Sequence, residues 1–193
     1  MTSDTDKHHY IDKQLPLHAI VVWLTGLSGS GKSTIAFALK EQLSKNGIFS
    51  LVLDGDIVRK GLNKDLGYSI TDRHENIRRV AEISKMLIEN RVITICAFVS
   101  PTHEIRRCAK EIIGHENFFE VYVKTSLDIC EKRDAHGLYK KSRSGEIHDF
   151  TGVSSPFEVP ESPDLIIDTN DVPVTENVER IFAAILPLLE IQP

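Results

Sequence analysis

The sequence predicts an α/β fold: a parallel sheet of about five strands with helices on both faces. Three observations carry that prediction. Short apolar runs alternate with longer amphipathic segments, nearly every pair of runs is separated by a helix-length stretch, and a Gly-rich loop stands directly between the first run and the first helix. The first run, Ala19 to Leu24, is β-branched and aromatic and stops at Thr25-Gly26, which reads as a buried strand. From Lys32 to about Asn46 the apolar residues Ile35, Leu39 and Leu43 recur at helical spacing, and Gly47 supplies the stop. A strand over Phe49 to Leu53, a helix over Thr71 to about Asn90, a strand over Val92 to Val99 and a helix from about Thr102 to Ile113 follow. A strand over Phe118 to Val123, a helix over Ser126 to about Ala135, a strand over Leu165 to Ile167 and a helix over Thr175 to Leu189 complete the alternation. Between them, His136 to Asp164 is rich in Gly and Pro and has no sustained periodicity; a loop of that length is either functional or disordered.

A chain of 193 residues suits one domain, taken as residues 18–193 behind a polar arm over 1–17. His8 and His9 stand side by side in that arm, too few ligands for a metal-binding tract. The 23 Lys and Arg against 28 Asp and Glu give a formal charge of -5, which argues against a sequence-independent nucleic-acid coat and makes any phosphate recognition local. No stretch approaches the roughly 18 to 20 apolar residues of a membrane span. Cys96, Cys108 and Cys130 are odd in number and lack CxxC spacing, which suits a reducing compartment and predicts the cytoplasm.

The loop after the first strand, Gly26-Leu27-Ser28-Gly29-Ser30-Gly31-Lys32-Ser33, fits GxxxxGK[ST], with Thr34 continuing into the helix. Glycines there let the backbone curl so that successive N–H groups face a phosphate, and the helix N-terminus adds partial positive charge. Lys32 would reach the β and γ phosphates of ATP, and the Ser33 hydroxyl would ligate Mg²⁺. The fold class sharpens accordingly to a P-loop NTPase three-layer sandwich. An Asn-Lys-x-Asp guanine signature is missing and the chain is too short for the large motor ATPases, which leaves a small-molecule kinase that aligns two substrates.

The acceptor site is expected at the end of the second strand, where Leu53-Asp54-Gly55-Asp56 and then Arg59 bring carboxylates and a cation to the carboxyl edge of the sheet. Asp56 is favoured as the carboxylate that orients an acceptor hydroxyl and takes its proton; capping the following helix is the other role open to it. Arg73 and Asn76 lie three apart and share a helix face, which suits an anionic, hydrogen-bonding ligand. The competing reading is a solvated face in which Arg73 and Arg78 pair with Asp72, Glu75 and Glu82.

The segments GLSGSGKST, LDGDIVRKGLNKDLGYS, DRHENIRRVAEISK, FVSP, EVYVKTSLDICEKRDAHGLYKKSRSGEI and FTGVSSPFEVP, in that order, resemble the adenylylsulfate kinase (APS kinase) family from about Ala19 to Asp168. The resemblance implies transfer of the γ-phosphoryl group of MgATP to the 3′-hydroxyl of adenosine 5′-phosphosulfate (APS), giving 3′-phosphoadenosine 5′-phosphosulfate (PAPS), by a homodimer. Carried over by residue, it puts Asp56 beside the 3′-hydroxyl, and Arg59, Arg73, Asn76, Val99 and Ser100 on the substrate. Tyr68 and Phe157 become the rings that sandwich its adenine. It makes His136 to Asp164 a lid, with Lys140 and Lys141 facing substrate and Arg133 facing ATP. Ser100 matches a serine that some members carry as a phosphoserine intermediate, a second catalytic candidate beside Asp56 and Lys32. Rivals are a same-scaffold kinase of another anionic nucleotide and a non-catalytic nucleotide-binding module. One departure bears on the acceptor: the family follows Ser-Pro with Tyr and an Arg soon after, whereas Thr102 and His103 stand here, which predicts loss of an aromatic and a guanidinium from that region.

Overall fold

Each apolar run forms a strand: β1 Val21–Thr25, β2 Ser50–Asp54, β3 Ile93–Ala97, β4 Phe118–Lys124 and β5 Leu165–Asp168. The computed structural model describes Pro16 and residues 18–134 and 136–189. The polar arm expected over 1–17, with His8 and His9, lies outside them apart from Pro16. All strand pairings are parallel, in the order β2-β3-β1-β4-β5. Every residue of β1 and β3 is buried, which accounts for their nearly unbroken apolar sequences, Val-Val-Trp-Leu-Thr and Ile-Thr-Ile-Cys-Ala.

Helices α1 Lys32–Lys45, α3 Ile70–Glu89, α4 His103–Ile113, α5 Leu127–Arg133 and α7 Val174–Ile185 correspond to the expected amphipathic segments. α1 packs on α7 and α3 on α4, so the sheet is covered on both faces. The closing helix is shorter than expected: it gives way at Leu186–Leu188 to a 3-10 turn around Pro187, which has no N–H to continue the α pattern. Of two six-residue helices, α2 Gly55–Lys60 is the one considered for Asp56 to cap, begun two residues earlier, and α6 Leu138–Arg143 was not predicted.

Trp23 organises the centre. It is wholly buried in β1, stacks on Phe98 and Phe118 with ring centroids 5.7 and 5.6 Å away, and donates its indole N–H to Ser100 Oγ at 2.9 Å. The strand that carries the phosphate loop is thereby tied to the end of β3. Because the strands are parallel, their carboxyl ends share one edge, and the loops after β1, β2, β3, β4 and β5 meet there.

Candidate active site

The loops at that edge enclose a cleft of about 910 Å³. This is the upper part of the range for small-molecule sites, as one cleft serving two ligands requires. On one side stands the phosphate loop. α1 begins behind Gly31, whose φ of 97° only glycine adopts without strain, and it has neither a side-chain cap nor an acidic residue in its first turn. Its leading amides are therefore left for an anion. Thr125 and Thr169 hold the loop from below, both donating to the Ser30 carbonyl at 3.2 and 2.9 Å. Lys32 folds back into the loop, donating to the carbonyls of Gly26 (3.0 Å) and Leu27 (2.7 Å). Burial brings its amine down from 10.5 to about 8, against the opposing pull of Cys130, Asp54 and Asp56.

The end of β2 divides the labour between its two carboxylates. Asp54 is buried; it accepts the main-chain N–H of Asp56 at 3.0 Å, so capping α2, and its other oxygen accepts the Ser33 hydroxyl at 2.6 Å. The capping role considered for Asp56 thus belongs to Asp54. Asp56 sits in the first turn of α2 with its side chain 72% exposed into the cleft, and His136 Nε2 stands 4.0 Å from its carboxylate. Ser33 and Asp54 together present hard oxygen donors beside the phosphate loop, the donor set that suits Mg²⁺ completed by phosphate and water oxygens.

On the acceptor side, Arg59 lies over the Tyr68 ring at 4.6 Å and donates to the Gly67 carbonyl. Arg73 donates to the Tyr68 carbonyl (2.8 Å), Thr151 Oγ1 (2.9 Å) and the Asp149 carbonyl (2.7 Å). Asn76 is buried; its Oδ1 accepts from Asn63 Nδ2 at 2.9 Å, which leaves its own amide N–H groups as the free end. The solvated-face reading therefore holds for Arg78 and Arg79, which pair with Glu75, Glu82 and Asp65, and fails for Arg73. Val99 and Ser100 line the floor of the same cleft.

Several expected residues lie elsewhere. Phe157 does not face Tyr68 across the cleft; it stacks on Tyr122 at 6.1 Å in a separate depression, and the lid aromatic that lines the cleft is Phe150. Lys140 and Lys141 are exposed and outside the cleft lining, because the phase of α6 turns Tyr139 inward instead. Tyr139 is buried, donates its hydroxyl to the Ser28 carbonyl at 2.8 Å and meets Phe150 edge-on at 4.9 Å. Ser100 is buried with φ 43°; its hydroxyl accepts from Trp23, and Phe98 O stands 3.5 Å away, so no side-chain base is positioned on it. The Thr102–His103 departure does not strip the region of a guanidinium, because Arg106, one turn into α4, donates to the Ser100 carbonyl.

Sequence reasoning missed the loop after β5, where Thr169, Asn170, Asp171, Val172 and Pro173 line the cleft, and Arg133 donates to the Gly29 carbonyl and to Thr169. Its position at the carboxyl end of a strand beside β4 was the available signal.

A family model described as adenylylsulphate kinase matches residues 18–168. The adenylyl-sulfate kinase of Bacteroides thetaiotaomicron is 52% identical over 179 residues, covering 93% of this chain and 89% of its own length. The solved structure of the Mycobacterium tuberculosis APS kinase CysC in complex with AMPPNP and APS matches with a TM-score of 0.84 at 40% identity, covering 89% of this chain and 99% of that one. The hexameric APS kinase from Thiobacillus denitrificans matches with a TM-score of 0.67 at 31% identity over 94% of this chain and 31% of its own.

Proposed function

The chain belongs to the adenylylsulfate kinase family, and from that premise we propose how its cleft moves a phosphoryl group. The reaction is transfer of the γ-phosphoryl group of ATP to the 3′-hydroxyl of APS, giving PAPS, a step of sulfate assimilation. The M. tuberculosis relative holds AMPPNP and APS together, which supports a cleft shared by two nucleotides here.

ATP lies with its phosphates on the Gly26–Thr34 loop and its base toward Arg133 and the Thr169–Pro173 loop. Lys32 leaves the Gly26 and Leu27 carbonyls for the β and γ phosphates. Ser33 and Asp54 are the residues that would hold Mg²⁺, which would offset the charge of the phosphates. APS lies between Tyr68 and Phe150, with Arg59, Arg73 and Asn76 on its phosphosulfate and nucleotide and Val99–Ser100 beneath. The observation that carries this reading is the uncommitted Asp56 carboxylate: with Asp54 occupied by the α2 cap and Ser33, Asp56 is free to orient the 3′-hydroxyl and take its proton as the phosphoryl group arrives. Tyr139 on Ser28 and Arg73 on Thr151 and Asp149 seat the lid at both ends of the cleft, excluding water that would hydrolyse ATP.

Transfer is direct, and Ser100 serves through its main chain. Ser100→Ala is expected to keep turnover within about tenfold of wild type, the scale of one lost hydrogen bond. A loss as large as that from removing the acid at Asp56, measured by ADP formation, would instead restore a covalent phosphoserine.

ATP affinity should depend on pH through Lys32. In the free enzyme its amine titrates at about 8, and bound phosphates raise that value, so binding takes up a proton above pH 8. Affinity is expected to be level below about pH 8 and to fall above it by up to about tenfold per pH unit until the bound-state value is reached. Titration of AMPPNP between pH 7 and 9.5 reads this directly, and a flat profile contradicts it.

We further propose the homodimer implied by the family, testable by light scattering, and a cytoplasmic setting. All three cysteines are free thiols, and no helix among the described residues is long and apolar enough to cross a membrane.

A further inference from the structure

Arg106 is 4% exposed, the one buried arginine among the described residues, and it lies outside the cleft lining. Burying a guanidinium is costly unless its donors are met and its charge is paired. Here Nη1 donates to the Ser100 carbonyl at 2.7 Å, Nη2 donates to the Glu158 carbonyl at 2.8 Å and lies 3.0 Å from His103 Nδ1, and Nε stands 3.1 Å from Glu120 Oε1. The segments joined by this one group are distant in sequence. Ser100 closes the loop after β3 in the left-handed region, φ 43°, where a residue other than glycine persists only if its surroundings hold it. Glu158 lies in the C-terminal part of the lid segment, where it is bonded to the body; its own N–H donates to the Pro101 carbonyl at 2.8 Å, and its carboxylate accepts the His103 N–H at the start of α4. Glu120 belongs to β4, across the sheet from β3.

We propose that Arg106 is a positioning residue for the acceptor: it holds the Val99–Ser100 floor in its left-handed turn and registers the C-terminal hinge of the lid on that floor, so that the two meet the acceptor as one surface. The proposal rests on the reading that APS lies over Val99 and Ser100. It gives the Thr102–His103 departure a physical sense. Thr102 caps α4 through Ile105 N, and His103 adds its ring nitrogen to the clamp and its main-chain N–H to Glu158. The phosphate loop has supports of its own in Thr125, Thr169 and Arg133, so disturbing the clamp acts chiefly on the acceptor.

The test is Arg106→Lys, which keeps a cation opposite Glu120 but cannot reach both carbonyls as a planar fork does. KM for APS is expected to rise about tenfold, with KM for ATP and kcat within about twofold of wild type. A fall in kcat with both KM values unchanged, the signature of a merely structural role, overturns the proposal, as does wild-type behaviour. Thr25 holds the same floor from β1, donating to the Val99 carbonyl at 2.8 Å. Thr25→Val should therefore also raise the APS KM, and an unchanged value there defeats the floor argument even if Arg106→Lys does not fold. Tyr68→Ala separates the two claims. If it raises the APS KM while Arg106→Lys does not, the clamp fails and the acceptor site stands; if neither raises it, the acceptor reading fails and takes the clamp with it.

Discussion

Asp56→Asn is expected to lower kcat by about 10²- to 10⁴-fold, the range for losing a positioned general base, while leaving the affinity for AMPPNP and the unfolding midpoint close to wild type. Asparagine keeps the shape of the side chain and can still accept a hydrogen bond from the 3′-hydroxyl, but it cannot take the proton. The bond that starts α2 is made by the Asp56 main-chain N–H to Asp54 Oδ1, so it survives any side chain at position 56. The phosphate loop is held by Thr125, Thr169 and Ser33–Asp54, and none of those bonds involves the Asp56 side chain. Near-normal turnover would remove Asp56 from the mechanism, whereas a matching loss of AMPPNP binding would make it a nucleotide ligand instead of the acceptor's base.

Lys32→Met should cut kcat by about 10²- to 10³-fold, the usual cost of removing one preorganised charge from a transition state, and it should do so without lowering stability at pH 7. The second half of that prediction follows from the shifted amine. Burial holds the folded-state value at about 8 against 10.5 in the unfolded chain, so the folded form loses its proton first. Between pH 8 and 10.5 the unfolded state therefore binds more protons, and stability from this group rises with pH; below pH 8 the charged amine is a constant penalty. Methionine removes the penalty and the rise together. Chemical denaturation of both proteins at pH 7 and pH 10 checks the sign, and a lysine enzyme that gains no stability relative to the methionine variant through that window contradicts it. A lysine whose charge burial disfavours and phosphate would favour is placed for its ligand at the expense of folding stability.

How far the sequence carried this reading depended on the length of each signal. β1 and β3 were legible because a strand buried on both faces has little choice but continuous apolar sequence. The long α3 was legible because its buried residues Ile77, Val80, Ala81, Ser84 and Ile88 repeat at helical spacing over about three turns. α2 and α6 span six residues each, too few for any periodicity to show. The strand order β2-β3-β1-β4-β5 was also out of reach, since alternation alone does not say where the chain crosses over.

In the site, the residues fixed by motif spacing line the cleft, whereas Lys140, Lys141 and Phe157 on the lid do not. Lys32, Ser33, Asp56 and Arg73 sit on rigid element ends, so their spacing determines their direction. Phe150 and Phe157 are seven positions apart in an irregular segment, and only the fold of the lid says that the first enters the cleft and the second packs on Tyr122. Lys140 and Lys141 looked like ligands for their charge, but α6 spends its inward face on Tyr139 and Ser142. Arg106 was passed over for the opposite reason: on an amphipathic helix bounded by Glu104 and Arg107 it reads as one more surface charge, and its burial follows from Glu120, fourteen residues away on β4.

The central claim is that this cleft phosphorylates the 3′-hydroxyl of APS, and ADP formation from MgATP with APS, AMP, CDP or no acceptor, with product masses determined, tests it most directly. The account predicts stimulation by APS alone and a product heavier than APS by one phosphoryl group. No stimulation by APS, with ADP formed in the presence of AMP or CDP, would contradict it.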